Sequence, residues 1–190
     1  MRKIIFFIAI LLLVSCKKNE VGKTFSKVIH KRDFPVKRFS KIELISYYNR
    51  VVWDTKYKGE SQSYKVLVDN YKLTFDSTMI QERVVLNKIQ EKELLNLIIS
   101  DTCTLEQITS ACYNPRHMIL FRDNKNRIIG YNEFCLECSS SRNSSNLDGF
   151  QKYCYCDMQA LFKKFGIKLF IEDKDVDKEE KFFKNKGILE

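Results

Sequence analysis

The stretch HMILFRDNKNRIIGY, residues 117–131, decides the fold class. His117 to Arg122 is dense in apolar and branched side chains, the composition of a strand that packs on a pleated surface. Asp123-Asn124-Lys125-Asn126 follows with turn chemistry, because short polar side chains bond their own backbone and tolerate left-handed torsions. Arg127 to Tyr131 returns with strand composition, so the stretch predicts an antiparallel hairpin.

Working outward, Lys41 to Tyr48 and Val51-Val52-Trp53 read as further strand, being rich in branched and aromatic residues. Tyr64 to Asp69 and Tyr71 to Asp76 flank Asp69-Asn70 as another hairpin, and Met79 to Leu86 adds a strand. Glu91 to Ser100, EKELLNLIIS, places Leu94, Leu97 and Ile98 on one face, the spacing of a packed helix. A second helix is expected with Asp157 as its cap, Met158, Leu161, Phe162 and Phe165 on its buried side, and Gly166 as its left-handed stop. Ile167 to Ile171 reads as a final strand. Ser139 to Asn146 reads as an exposed loop, and the stretch from Glu172 onward, with seven acids and five bases, as a mobile or weakly helical tail. The sum is an α+β fold, an antiparallel sheet with about two helices packed on one face.

At 190 residues, 44% apolar and 13% aromatic, the chain has enough material for one ordinary core, which excludes general disorder. Only 6 Gly and 2 Pro weigh against a glycine-rich phosphate cradle. The expected organisation is a signal peptide over 1–15, a basic tether over 16–37, an α+β domain over 38–171 and a charged tail over 172–190.

The amino terminus carries an address. Arg2 and Lys3 precede an unbroken apolar run from Ile4 to Val14, whose 11 residues would make about 16 Å of helix, too short for a stable membrane span. The run ends at Leu13-Val14-Ser15-Cys16, which resembles the lipobox of bacterial lipoproteins. That resemblance implies cleavage before Cys16, a diacylglyceryl thioether on its sulfur, and acylation of the new amino group by a palmitate-type chain. Two or three chains hold persistently where one holds marginally. Between Lys17 and Lys41 nine cations face only Glu20 and Asp33, a stretch that reads as a solvated tether or as one drawn to anionic headgroups. The implied localisation is the cell envelope, membrane-anchored and facing the periplasm or the cell exterior. Nucleic acid is not an expected partner, because the basic stretch lacks a recognition motif.

With Cys16 assigned to lipid, Cys103, Cys112, Cys135, Cys138, Cys154 and Cys156 remain. An even count in an exported chain points to disulfides, and six cysteines allow fifteen pairings. Proximity favours Cys103 with Cys112. The other four approach a four-thiolate zinc spacing, but one residue instead of two separates Cys154 from Cys156, and bridges between the two pairs are geometrically easier than one within Cys154-Tyr155-Cys156. Thiol-redox chemistry is a third option, disfavoured because Cys135 and Cys138 end a strand and Asp157 opposes a thiolate at Cys154 or Cys156.

Other residues carry weaker signals. His117 near Cys112 would suit a mixed metal site, but a lone histidine at a strand start is more often packed or superficial. Trp53, Tyr47 and Tyr48 suit a ligand groove or a core. Glu133 and Glu137 alternate along a strand, as an acid–base pair or as a solvated face. Asp76-Ser77-Thr78 resembles a short O-glycosylation acceptor of some envelope proteins. Ala111 to Phe121 together with Phe134 to Cys138 is similar to segments of small cysteine-containing envelope lipoproteins of Gram-negative bacteria, a group without an assigned activity. The expectation is a lipid-anchored, disulfide-stabilised binding or interaction module with a protein or glycan partner, no catalytic residues and no cofactor. The alternative is a thiol-redox or structural zinc protein using Cys135, Cys138, Cys154 and Cys156.

Overall fold

The computed structural model describes residues 39–58, 61–64, 66–99, 103–105, 107, 113–170 and 173–190. The expected signal peptide, the lipobox-like stretch with Cys16, the expected tether and Cys112 lie outside the described residues.

The fold is α+β, as the hairpin at 117–131 predicts. Five strands form one antiparallel sheet: β1 (Lys41–Tyr47), β6 (Ile80–Val85), β7 (His117–Arg122), β8 (Ile128–Cys135) and β9 (Ser140–Asn143), in the order β6-β1-β7-β8-β9. Two small antiparallel pairs stand apart: β2 (Thr55–Lys58) with β3 (Ser61–Tyr64), and β4 (Val68–Asp69) with β5 (Lys72–Leu73). The second of these is the expected hairpin, turning at Asn70 (φ 46°) and Tyr71 (φ 63°), both left-handed as a tight two-residue turn requires. Among the described residues four α-helices complete the fold: α1 (Arg50–Asp54), α2 (Lys88–Ile99), α3 (Tyr155–Lys164) and α4 (Asp173–Asn185). Among the described residues no helix is long and apolar enough to cross a membrane.

The period of two along each strand divides the core between two faces. Ile42 and Leu44 of β1, Ile119 and Phe121 of β7 and Phe134 of β8 meet Leu94 and Ile98 of α2 and Met158 and Phe162 of α3. On the opposite face Ile45, Tyr47, Met118, Leu120 and Ile128 pack with Leu67, Trp53 and Phe75. The central strand β7 is buried on both faces, which explains its unbroken apolar run.

Several expectations are corrected. Val51 to Trp53 is helical: the Asn49 side chain accepts the Val51 N–H at 3.0 Å and Trp53 Nε1 donates to the Tyr48 carbonyl at 2.8 Å, so local capping overrides β propensity. Ser140 to Asn143 pairs with β8 as an edge strand, where polar side chains suit a half-exposed position and the backbone supplies the bonding. Cys154, not Asp157, stands at the N-cap of α3, and Asp157 falls in the first turn. Gly166 (φ 108°) does end α3, with its N–H on the Lys163 carbonyl and the Ile167 N–H on Phe162, the double closure of a Schellman turn. The segment 167–170 is not a strand; the Lys168 and Leu169 N–H groups bond the Glu82 carboxylate instead of a neighbouring strand. The acidic tail is a packed helix, α4, whose Val176, Glu179 and Phe183 follow helical spacing. Phe183 is 1% exposed, and Phe182 stacks on Tyr48 with centroids 3.8 Å apart.

Candidate functional site

Glu133 is the first acid to place. A position in β8 with period-two alternation could face solvent, but Glu133 is 0% exposed on the Tyr47 face of the sheet. Arg50 Nη1 donates to both its oxygens at 2.8 Å, Tyr47 Oη donates at 2.7 Å, and Tyr113 Oη donates at 2.9 Å. Arg50 Nε completes the cluster on Asp54 at 2.7 Å, a pair one helical turn apart in α1. Burial opposes the charge of Arg50, but Glu133 and Asp54 hold it above its ordinary value. Burial and then the Glu133 charge push the Tyr47 and Tyr113 phenols well upward, so both remain protonated donors. The Arg142 guanidinium lies 4.5 Å over the Tyr113 ring. A carboxylate that accepts four hydrogen bonds from three donors and is sealed from water has no lone pair to offer a substrate proton, so this cluster joins α1, β1 and β8 instead of performing acid–base work. Glu137 is exposed and distant in register from any such pairing, which removes the suggested pair.

The cysteines sort differently from the expected order. Cys103 bonds Cys154, across 51 residues, and not Cys112. Cys135 bonds Cys138 within one turn. Sequence proximity failed at Cys103 because the fold returns the N-terminus of α3 to it, and Gln107 helps by accepting the Tyr155 N–H at 2.8 Å. The expected bridges between the two close pairs do not form, since Cys135 and Cys138 share the strand end while Cys154 faces Cys103. This disperses the four sulfurs of the alternative zinc set, and among the described residues no group of three or more His, Cys, Asp or Glu could hold a metal ion. Cys135 and Cys138 are 2% and 3% exposed, so an incoming thiolate has no path to either sulfur. Cys156 is half-buried in the first turn of α3.

His117 is fully buried and its ring stacks on Phe170 with centroids 4.9 Å apart. Its Nε2 lies 2.8 Å from the Leu169 carbonyl, which accepts only, so that nitrogen carries the proton. Burial lowers its pKa below the ordinary 6.5, against the opposing pull of that carbonyl. Trp53 and Tyr47 belong to the core, with Phe75 5.0 Å from the indole. Asp76 is exposed and its carboxylate accepts the Thr78 N–H at 2.8 Å, capping the short 3-10 turn Ser77–Met79.

Among the described residues, a cavity of about 120 Å³ lies where α4 crosses the ends of β1 and β6. Tyr48, Leu169, Phe170 and Val176 supply its apolar wall, and Gln81, Arg116, Lys178 and Glu179 its polar one. Arg116 stands at the entry to β7, its N–H on the Phe134 carbonyl and its own carbonyl accepting the Tyr47 N–H, so two strands fix its backbone. Its Nη1 donates to Glu179 of α4, and Gln81 Nε2 donates to the same oxygen at 3.3 Å. The wall at 168–170 is held by Glu82, which takes the Lys168 and Leu169 N–H groups and the Ser46 hydroxyl, and by His117 from below. Of the residues singled out in the sequence, Tyr47 and Tyr48 line this cavity. Arg116 and Glu179 lie 63 residues apart, and the one available signal was the spacing of Val176, Glu179 and Phe183, which marks α4 as packed. Comparison with family models, with curated proteins and with solved structures finds no match to this chain.

Proposed function

We propose that this chain is a lipid-anchored protein of the bacterial cell envelope whose α+β domain is a disulfide-stabilised binding module, with the cavity beneath α4 as its binding site. The cavity carries the binding part of this reading. It joins an apolar wall to a few convergent polar groups on a rigid sheet, the usual composition of a ligand site. The envelope part is supported by the lipobox at Leu13-Val14-Ser15-Cys16 and by two disulfides, which persist in oxidising compartments.

Intact mass of protein extracted from membranes, before and after reduction and alkylation, tests the anchor and the bridges together. The expected species begins at Cys16, carries a diacylglyceryl group and an amide-linked acyl chain, and yields alkylated cysteines only after reduction. Cys16→Ser is expected to leave the membrane fraction. A chain that begins at Met1, or a Cys16→Ser protein that stays with the membrane, would refute the anchor.

A further inference from the structure

The end of the five-stranded sheet remote from the cavity gathers several elements. β1 starts there, its entry fixed by the Ser40 N–H on the Arg122 carbonyl at 2.7 Å and by Phe39 against Phe121, with centroids 5.7 Å apart. β6 ends there, with the Leu86 N–H on the Ile42 carbonyl at 3.0 Å, and α2 follows at once, Lys88 Nζ donating to the Ser40 carbonyl at 3.4 Å. The turn from β7 to β8 closes the same end, and the Ile128 N–H ties the β4–β5 hairpin to it through the Tyr71 carbonyl at 2.9 Å.

Apolar side chains stand in water at this end. Ile89 is 79% exposed, because Glu91, Leu94 and Ile98 take the inner face of α2. Val85, 54% exposed, lies on the edge strand β6 opposite Glu43, and Tyr71, 53% exposed, lies at the hairpin tip with the Arg127 guanidinium 5.0 Å over its ring. Three such groups held out of the core at one end of a sheet mark a contact surface. The free charges around them are mostly positive. Lys72, Lys92 and Lys125 are exposed and make no ion pair among the described residues. The acids Glu43, Glu91 and Asp123 are taken, the first by Arg83 and Arg122, the second by Lys88 and the third by Arg127. Asp69 stays exposed, bonded by the Asn70 amide at 3.2 Å, and is outnumbered.

The chain reaches this end from the stretch Lys17 to Lys41, where nine cations face Glu20 and Asp33, so the charge of the surface continues in the sequence that precedes the fold. A bilayer of anionic lipid answers this chemistry better than a folded partner. Lysine is a hydrated point charge that suits a fluid layer of phosphates and is depleted where proteins bury one another. A tyrosine, with an apolar ring and a wet hydroxyl, is at home at the headgroup level.

We propose that this end of the sheet docks on an anionic bilayer surface, with Ile89, Val85 and Tyr71 at the headgroup boundary and Lys72, Lys92 and Lys125 against the lipid phosphates. The proposal rests on the lipid-anchored reading for the membrane close at hand. Docked this way, the domain turns the cavity beside Tyr48 and Arg116 away from the membrane, since it lies at the other end of the same strands.

Hydroxyl-radical footprinting of the full-length protein tests the docking. The protein is extracted from membranes and reconstituted into vesicles of phosphatidylcholine alone or with about a third phosphatidylglycerol, which supplies the negative surface. Tyr71, Val85 and Ile89 are expected to oxidise at least about fivefold more slowly in the anionic vesicles, the factor one cation supplies near such a surface, while Val176 at the other end keeps its rate. Lys72→Glu, Lys92→Glu and Lys125→Glu together are expected to restore the rates seen in phosphatidylcholine, and Ile89→Asp alone to weaken the protection of Tyr71. All four side chains are exposed, so the fold survives these changes, which an unaltered urea midpoint verifies. Equal rates in the two vesicles, protection that persists in the triple variant, or Val176 protected as strongly as Ile89 overturns the proposal. Dextran sulfate protecting the same three side chains as well as the anionic vesicles do assigns the surface to a soluble polyanion and also overturns it. Intact mass separates this result from the anchor: a lipidated protein without protection refutes the docking alone, and a protein without lipid that is still protected refutes the anchor and supports the docking.

Discussion

Truncating Glu133 is the sharpest perturbation of this fold. Glu133→Leu removes an acceptor that takes hydrogen bonds from Tyr47, Arg50 and Tyr113 at 2.7 to 2.9 Å with no exposed surface. Arg50 would lose Glu133 while keeping Asp54, and breaking one side of a buried pair costs about 3–5 kcal/mol because the remaining charge has no water to replace its partner. For a chain of this size each kcal/mol moves the melting midpoint by about 2–4 °C, so the midpoint is expected to fall by about 6–20 °C. Arg50→Met is expected to cost a similar amount, since it takes the guanidinium away from both Glu133 and Asp54. The double variant should cost less than the two singles together, by a coupling of about 2–3 kcal/mol. Urea unfolding of the oxidised protein, with the slope checked for constancy, reads all three. A Glu133→Leu protein within about 1 kcal/mol of the parent, or singles that simply add, would refute the claim that this cluster ties α1 to β8. The exposed pair Lys164–Glu93 is the control, expected to contribute about 0–1 kcal/mol.

Other outcomes follow from single features. Cys103→Ser opens a loop of 51 residues and is expected to cost about 4 kcal/mol by chain entropy, whereas Cys135→Ser, closing 3, should cost about 2 kcal/mol, both measured by urea midpoints. His117 is neutral in the fold and its pKa is depressed, so the unfolded chain binds more protons below pH 6.5 and stability falls as pH drops through that point; His117→Gln, which keeps a donor for the Leu169 carbonyl, should flatten this slope. Burial works to raise the Glu43 pKa, but Arg83 and Arg122 outweigh it and hold it below 4.5, so its contribution persists above pH 4.5 and disappears as pH falls through its lower folded value. Gly166→Ala should cost about 1–2 kcal/mol from φ alone, because Val84 Cγ2 at 3.9 Å leaves room for the added methyl.

Legibility in the sequence tracked how locally each element is determined. The hairpin at 117–135 was readable because its strands, turn and pairing lie within twenty residues, and α2 because its apolar face repeats without interruption. The α1 turn was not, since Val51, Val52 and Trp53 favour strand in isolation and are overruled by Asn49 and the Arg50–Asp54 pair. The α4 helix hid behind its charge: among its described side chains only Phe183 and Glu179 are buried, so its average composition resembles a solvated tail. Glu133 looked like a surface acid because Arg50 lies 83 residues earlier, and Arg116 looked unremarkable because Glu179 lies 63 residues later. Ionic partners at such separations leave no periodicity to read.

The Cys103–Cys154 bond closes a covalent ring around β7, β8 and β9. A peptidase that hydrolyses one bond anywhere inside that ring produces two chain ends and no fragment, since the sulfurs still join the pieces and three paired strands keep their registers. Damage at the surface of this half is thus confined to a nick, and the rest of the molecule goes on holding its shape until the sulfur link itself is cut.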